Sequence, residues 1–233
     1  MIPLRDSETS HRLTPVNTAL IILNFAIYGL EVRLGQNAAP VLSSYAMVPA
    51  HIANLGAAGG TTAVWNLATL ITSLFLHAGI LHVAGNMLYL FIFGPAVEEG
   101  LGHARFLLFY VAAGIVAGLA LVAMGPESRV AVIGASGAIA GVLGAYFVLH
   151  PRGRILTVLI IWSFEVPAAA YLLLWFAAQL FSGIQAGAQG PLMGGVAWWA
   201  HVGGFLFGVA AGPLIAQVPV RPAPAKRARR KRA

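Results

Sequence analysis

Four side chains in an otherwise apolar chain have the types that nucleophilic catalysis requires. Ser136 stands in the uncharged stretch IGASGAIAGV, and His201 stands in AHVGGFLFG. A histidine within hydrogen-bond reach of a serine hydroxyl can take its proton and activate it as a nucleophile. His82 and Asn86 are four residues apart in HVAGN, so they share one face of a helix and both can donate hydrogen bonds. Two donors beside a serine are what an oxyanion site needs.

Each of these residues also has a structural interpretation. A serine between glycines can pack helices together or bond back to its own helix. A histidine inside a span can be a structural hydrogen-bonder or part of a proton path, and a His–Asn pair can join two helices. We interpret His77, which precedes His82 by five residues, as structural, for example in fixing the loop above the site. The chain has no cysteine, which excludes disulfides and cysteine-built metal sites, and we expect neither a metal nor another cofactor.

The elements that position these residues must be membrane-spanning helices. Of the 233 residues 59% are hydrophobic and 9% are charged, whereas soluble domains carry roughly 25% charged residues. A helix needs about 20 apolar residues to cross a bilayer, and six stretches qualify. They are 18–34, a span within 65–97, 105–124, a span that ends at His150, a span within 155–181 that Glu165 and Pro167 interrupt, and 197–217.

The distribution of Lys and Arg predicts the orientation. With both termini cytoplasmic, only Arg33 and Arg129 of the fourteen basic residues lie outside, as the positive-inside rule favours. Residues 1–17 are then a cytoplasmic segment, 18–217 the six-helix core, and 218–233 a disordered basic tail. Beside a transmembrane helix, the tail is better interpreted as a topology anchor touching anionic lipid than as a nucleic-acid-binding segment. We therefore expect membrane lipids, and no nucleic acid, as partners.

Depth along the spans places the candidate residues at one level. His82 and Ser136 each precede the first charged residue on the cytoplasmic side by 16 positions, and His201 precedes the first polar residue there by 16, which in each case is about 24 Å of helix. Those markers are Glu98, Arg152 and Gln217. Because the hydrocarbon core is about 30 Å thick, all three candidates lie several ångströms below the outer surface. A span that begins at Ser136 is too short to cross, so its N-terminus opens inside the membrane.

Two stripes of small residues predict which helices touch. They have a spacing of four and comprise Gly137, Gly141 and Ala145 in span four, and Ala200, Gly204, Gly208 and Gly212 in span six. Such stripes let helix backbones approach closely. If the two stripes face each other, Ser136 comes within hydrogen-bond distance of His201.

On these residues the sequence resembles the rhomboid family of intramembrane serine proteases. The matching motifs are HxxxN at His82 and Asn86, GASG at 134–137 and AHVGGFLFG at 200–208, supported by GPAVEEGLG and LLLWFAAQLFSG. The resemblance covers about residues 60–212. It implies an all-α bundle of six transmembrane helices and, given this simple layout, a location in the bacterial inner membrane.

The resemblance also implies roles for individual residues. Ser136 is the nucleophile and His201 the general base, while His82, Asn86 and the backbone N–H of Ser136 hold the oxyanion. The structural residues near the site are Gly134, Gly137, Gly204 and His77. The expected substrates are transmembrane segments of other membrane proteins, and the uncharged loop 183–196 is expected to act as a cap.

Two positions depart from the family pattern. The first long loop often carries a Trp-Arg pair, but here Trp65 is followed by Asn66. In some members of the family an aromatic residue one turn after the serine packs on the catalytic histidine, but that position is Ala140 here. Two other functions stay open: a non-proteolytic membrane protein that binds client helices, and a proton path through the three histidines at 77, 82 and 201.

Overall fold

The computed structural model describes residues 2–8, 13–187 and 196–216, and the fold is mostly helical. The basic tail 218–233 and most of the predicted cap 183–196 lie outside these residues. In chain order the elements are β1 Ile2–Asp6, α1 Pro15–Leu34, α2 Ala38–Tyr45, α3 Pro49–Ala53, α4 Leu55–Ala58, α5 Gly60–Thr72, α6 Ile80–Leu101, α7 His103–Met124, α8 Ser136–Leu149, β2 Arg154–Leu159, β3 Trp162–Pro167, α9 Ala168–Gly187 and α10 Trp198–Ile215. Short 3₁₀ turns follow α1 and α5, at Gly35–Asn37 and Ser73–Phe75.

Among the described residues, five helical segments are long and apolar enough to cross a membrane. They are Pro15–Tyr45, which begins with α1, then α6, α7, α9 and α10. The sixth apolar helix, α8, has 14 residues and is buried along almost its whole length. Its bounds match the prediction, since it starts at Ser136 and stops one residue before His150.

The small-residue stripes of α8 and α10 do face each other. A side chain on Gly204 would collide with the carbonyl oxygen of Gly137, and one on Gly208 would collide with that of Gly141. Only glycine allows the two backbones to come this close. Helix α8 is thereby enclosed by α10, α7 and α6, and its first residue lies inside the bundle.

The predicted second span was wrong in its first part. Residues 65–72 belong to α5, a separate helix, and the spanning helix α6 begins only at Ile80. Gly79 is fully extended between them, with φ 169° and ψ 170°. The backbone N–H of His77 donates a hydrogen bond to the carboxylate of Glu31 in α1. This bond replaces the one that the same N–H would make within a continuous helix. His77 therefore lies just ahead of the helix that carries His82.

The predicted fifth span was also wrong in its first part, and with it the expectation of an all-α chain. Residues 154–167 form a β-hairpin, and α9 begins at Ala168 directly after Pro167. Strand β2 also pairs with β1 near the N-terminus, which gives a three-stranded antiparallel sheet in the order β1–β2–β3. The predicted N-terminal segment thus contains a strand, and α1 starts at Pro15 rather than at residue 18.

The start of α1 is tied to the far end of α6. The buried carboxylate of Glu98 accepts the backbone N–H groups of Val16 and Asn17 at 3.2 and 2.7 Å, and it contacts His103 Nδ1 at 2.6 Å. These N–H groups of the first turn have no partner within their own helix. One glutamate therefore caps α1 from a distance of about 80 residues along the chain.

The first long loop is anchored without a Trp-Arg pair. Trp65 donates its indole N–H to the carbonyl of Ser44 at 3.0 Å and packs edge-on against Tyr45. Met47 forms an antiparallel bridge with Val132, immediately ahead of the segment that leads into α8. Short helices fill this loop, and the bridge at Met47 holds it beside the approach to Ser136.

Candidate active site

The predicted site residues line one cavity. It has a volume of about 670 Å³, and its walls include Ser136, His201, His82 and Asn86. They come from α8, α10 and α6, which are far apart along the chain. Residues predicted to lie at one depth thus meet in one cavity.

Ser136 and His201 are joined by a hydrogen bond. The Ser136 Oγ and His201 Nε2 atoms are 2.8 Å apart. Ser136 is the first residue of α8, and His201 lies in the first turn of α10 with 9% of its surface exposed. The close crossing of the two helices at Gly137 and Gly204 is what brings the side chains into reach.

The other ring nitrogen of His201 is held by a residue that sequence reasoning missed. His201 Nδ1 lies 2.7 Å from Oε1 of Gln179 in α9, and Gln179 is 8% exposed. An amide oxygen only accepts hydrogen bonds, so Nδ1 carries the ring hydrogen and the lone pair of Nε2 points at the Ser136 hydroxyl. This is the tautomer that a general base needs.

Two tryptophans complete the surroundings of the histidine ring. Trp175 of α9 lies 6.0 Å from the His201 ring with an interplanar angle of 36°, and Trp198 lies edge-on at 6.3 Å. Ala140 of α8 is fully buried and faces Gly204 of α10. The histidine is thus oriented from α9 and from its own helix rather than from α8.

The N-terminus of α8 opens into the cavity. The N–H groups of the first turn of a helix have no intrahelical partner, and the helix dipole gives this end a partial positive charge. Ser136 and Gly137 belong to this turn and both line the cavity. The cavity floor therefore favours a negative charge that develops beside Ser136 Oγ.

His77 contacts both residues of the HxxxN motif. Its Nε2 lies 3.0 Å from Nδ2 of Asn86, and its ring stands edge-on to that of His82 at a centroid distance of 5.0 Å. Because the Asn86 amide donates here, His77 Nε2 is the acceptor. At 2% exposure His77 is the most buried histidine of the group, and it fixes the orientation of the other two side chains.

Gly134 is required by its backbone and by its neighbour. Its φ of +124° lies in a region that other residues rarely adopt, and a Cβ there would lie 2.7 Å from Nε2 of His82. Its N–H donates to the carbonyl of Ser73 at 2.8 Å. The loop before Ser136 can thus lie directly against the His82 ring only because residue 134 is glycine.

The carboxylate of Glu165 lies away from this cavity. Glu165 is on β3, where it forms an ion pair with Arg154 at 3.0 Å. Within the described ranges no group of three His, Asp or Glu side chains is arranged to hold a metal ion. The chemistry of the cavity is that of its serine, histidines and amides.

Comparisons with known proteins identify the family to which this chain is similar. A family model described as Rhomboid domain matches residues 61–218. The rhomboid YdcA of Bacillus subtilis (strain 168) is 45% identical over 93 residues, which cover 40% of this chain and 44% of YdcA. Rhomboid protease GluP of the same organism is 49% identical over 76 residues, or 33% of this chain and 14% of GluP. Rhomboid protein 1, mitochondrial, of Saccharomyces cerevisiae is 31% identical over 153 residues, or 64% of this chain and 42% of that protein. The chain thus spans less than half the length of each of these relatives.

Proposed function

The chain belongs to the rhomboid family, and from that premise we propose that it is an intramembrane serine endopeptidase. The observation that carries the proposal is the hydrogen bond between Ser136 Oγ and His201 Nε2 within a cavity inside an apolar bundle. A serine at the start of a buried helix, with a histidine nitrogen 2.8 Å from its hydroxyl, is the arrangement of a nucleophile and its general base.

The reaction that this arrangement supports has two steps. His201 Nε2 takes the proton of Ser136 as Oγ attacks the carbonyl carbon of a peptide bond, and the carbonyl oxygen becomes an oxyanion. The C–N bond then breaks, the imidazolium gives its proton to the leaving amine, and an acyl-enzyme ester remains. In the second step His201 takes a proton from water as its oxygen attacks the ester carbon; the bond from that carbon to Ser136 Oγ then breaks, the imidazolium returns the proton to Oγ, and the carboxylic acid product leaves.

The oxyanion is held by donors that converge on the cavity. We assign this role to the side chains of His82 and Asn86 and to the backbone N–H of Ser136, supported by the positive end of α8. His77 and Gly134 position the two side chains. Gln179 positions His201 by accepting the hydrogen of Nδ1, and so takes the place that a carboxylate holds in a catalytic triad.

We further propose the membrane topology. The five long helices and α8 form six spans, with both termini on the cytoplasmic side of a bacterial inner membrane. Helix α8 is about 21 Å long at 14 residues, so Ser136 lies within the outer half of a bilayer core of about 30 Å. Substrates are transmembrane segments that unwind near the outer surface and enter beside the C-terminal end of α9, which takes in the first residues, 183–187, of the predicted cap.

Labelling with a fluorophosphonate probe tests the proposal. The wild-type protein in mild detergent is expected to label, while Ser136→Ala and His201→Ala are expected to lose labelling and cleavage of a tagged transmembrane substrate in cells. Ser43→Ala and His51→Ala are matched controls, because these exposed residues lie in the first loop. Folded wild-type protein that neither labels nor cleaves would instead favour a protein that only binds client helices.

A further inference from the structure

The β2–β3 hairpin ends in an exposed apolar tip, which we define as residues 159–164. The exposed fractions are 46% for Leu159, 88% for Ile160, 80% for Ile161, 73% for Trp162 and 38% for Phe164. Soluble hairpins place polar residues at such a position, and a contiguous apolar patch marks an interaction surface. The catalytic proposal makes no use of this tip.

The turn at the tip is built from residues that water would disfavour. Leu159 pairs with Trp162, so Ile160 and Ile161 form a two-residue turn. Ile160 has φ +60°, and it is the only non-glycine residue with a positive φ among the residues that the structure describes. Turns with a positive φ at the first central position strongly favour glycine there, and a β-branched residue is a true outlier. A strained, fully apolar turn indicates a function for the isoleucines themselves.

The position of the hairpin shows what surrounds the tip. Its base follows the end of α8 and leads directly into α9, and the N–H of Ala168 donates to the carbonyl of Gly153 at 2.8 Å. One face of the hairpin carries Ile155, which is fully buried in the bundle core, and the same face continues outward to Trp162 and Phe164. This face thus leaves the bundle at the level where the spanning helices end, where the neighbouring material is the bilayer surface.

Charge and side-chain type match that surface. Arg5, Arg152 and Arg154 are exposed around the base of the sheet, where they can contact anionic headgroups. Tryptophan, as at position 162, is enriched where membrane and water meet. The opposite face of the hairpin carries Ser163 and Glu165, which suit water.

We propose that the apolar tip is a lipid-docking surface that inserts into the interfacial region of the leaflet at the α8 C-terminal end. The isoleucines and Trp162 enter the boundary between headgroups and acyl chains, while the arginines stay at the headgroups. The hairpin then anchors the first residue of α9 to the bilayer. This inference depends on the chain spanning a membrane, but not on its being a protease.

Site-specific fluorescence tests the proposal in the full chain, which has no native cysteine. Single-cysteine variants Ile161→Cys and Phe164→Cys are labelled with an environment-sensitive fluorophore in nanodiscs of phosphatidylcholine and phosphatidylglycerol. Ser163→Cys is the matched control, because it lies on the same strand but on the opposite face. Melting temperatures confirm that each labelled variant is folded.

A nitroxide carried by the lipid and iodide in the water distinguish a tip that lies in the bilayer from one that lies in water. Labels at 161 and 164 are expected to be quenched several-fold more by nitroxide lipid than the label at 163, and less by aqueous iodide. Equal iodide quenching at 161 and 163 would show that the tip stands in water and would overturn the proposal. Protection at 161 from both quenchers would overturn it as well, because it would show that a protein, such as a second copy of the chain, covers the tip.

Discussion

Replacing Gln179 by leucine should slow catalysis while leaving the fold intact. Leucine has a similar volume but cannot accept the Nδ1–H of His201. Both side chains are more than nine-tenths buried and the bond is 2.7 Å long, so water does not replace the lost acceptor. The His201 ring becomes an imidazolium in the transition state, and hydrogen bonds to charged groups are stronger than neutral ones, so the lost acceptor costs about 1–2 kcal/mol more there than in the ground state. At about 1.4 kcal/mol per tenfold, we expect kcat to fall by about 5- to 30-fold.

The size of the effect has a further upper bound. Without Gln179 the ring can also adopt the tautomer with the hydrogen on Nε2, which cannot take the serine proton. Loss of the correct tautomer in a serine-protease triad lowers kcat by about 10⁴-fold. The expected value for Gln179→Leu lies below this bound, because the packing of Trp175 and Trp198 still restrains the ring.

A second substitution distinguishes positioning from general damage. Gln179→Glu keeps an acceptor at Nδ1, but its negative charge stabilises the protonated imidazolium, which cannot act as a base. The acidic limb of the pH–rate profile should therefore move to higher pH, and activity should recover as the pH is raised. Gln179→Leu should lower the rate at every pH without this displacement.

The assay is cleavage of a transmembrane substrate in proteoliposomes, with fluorophosphonate labelling rates as a second readout. Gln185→Leu is the control, since Gln185 is exposed on the same helix. If Gln179→Leu retains wild-type kcat and labelling rate, and Gln179→Glu retains the wild-type pH profile, the assignment of Gln179 as a positioning residue is wrong.

Three other positions carry predictions. Gly208→Leu drives a side chain into the α8 backbone, so the melting temperature in detergent should fall by the equivalent of about 1–3 kcal/mol. Gly29→Leu is the control, because the space around Gly29 is open and the melting temperature should change little. Equal melting temperatures of the two variants would contradict the close crossing of α8 and α10. Glu98→Gln removes one acceptor oxygen from the cap of α1 and should lower the free energy of unfolding by about 1–3 kcal/mol, measured in denaturant titrations. Glu127→Gln is the control, because Glu127 is exposed. Gly134→Ala should displace His82 and lower kcat by about 10- to 1000-fold, with a smaller change in KM. An unchanged kcat would show that His82 is not an oxyanion donor.

The core of the site could be predicted from sequence because its signals are physical constraints of the bilayer. A polar residue inside a span is costly, so the few that occur can be compared by depth alone. The glycines at 137, 141, 204 and 208 then fix which helices touch, since a backbone contact tolerates no side chain. These two constraints predicted a hydrogen bond between Ser136 and His201 on the condition that the two stripes face each other, which they do.

The hairpin was missed because hydropathy does not distinguish an apolar strand from an apolar helix. Residues 154–167 read RILTVLIIWSFEVP, and their apolar content extended the predicted fifth span toward residue 155. The β-branched residues, the alternation in WSFEV and the interruption at Pro167 were signals of strands. In a membrane protein such signals compete with a strong prior for helices, and here local β-propensity together with pairing to β1 prevailed.

Gln179 was missed for a different reason, which concerns the face of a helix rather than its existence. Trp175 and Gln179 are four residues apart, so the sequence shows that they share a face of α9. In a soluble protein the apolar face would be the buried one, but in a bilayer both the lipid-facing and the core-facing sides are apolar. The exposed Leu174 and the fully buried Leu172 of α9 are identical residues, two positions apart, on opposite sides. Only the packing against α10 shows that the face with Gln179 points inward, so the orienting partner of His201 had to come from the structure.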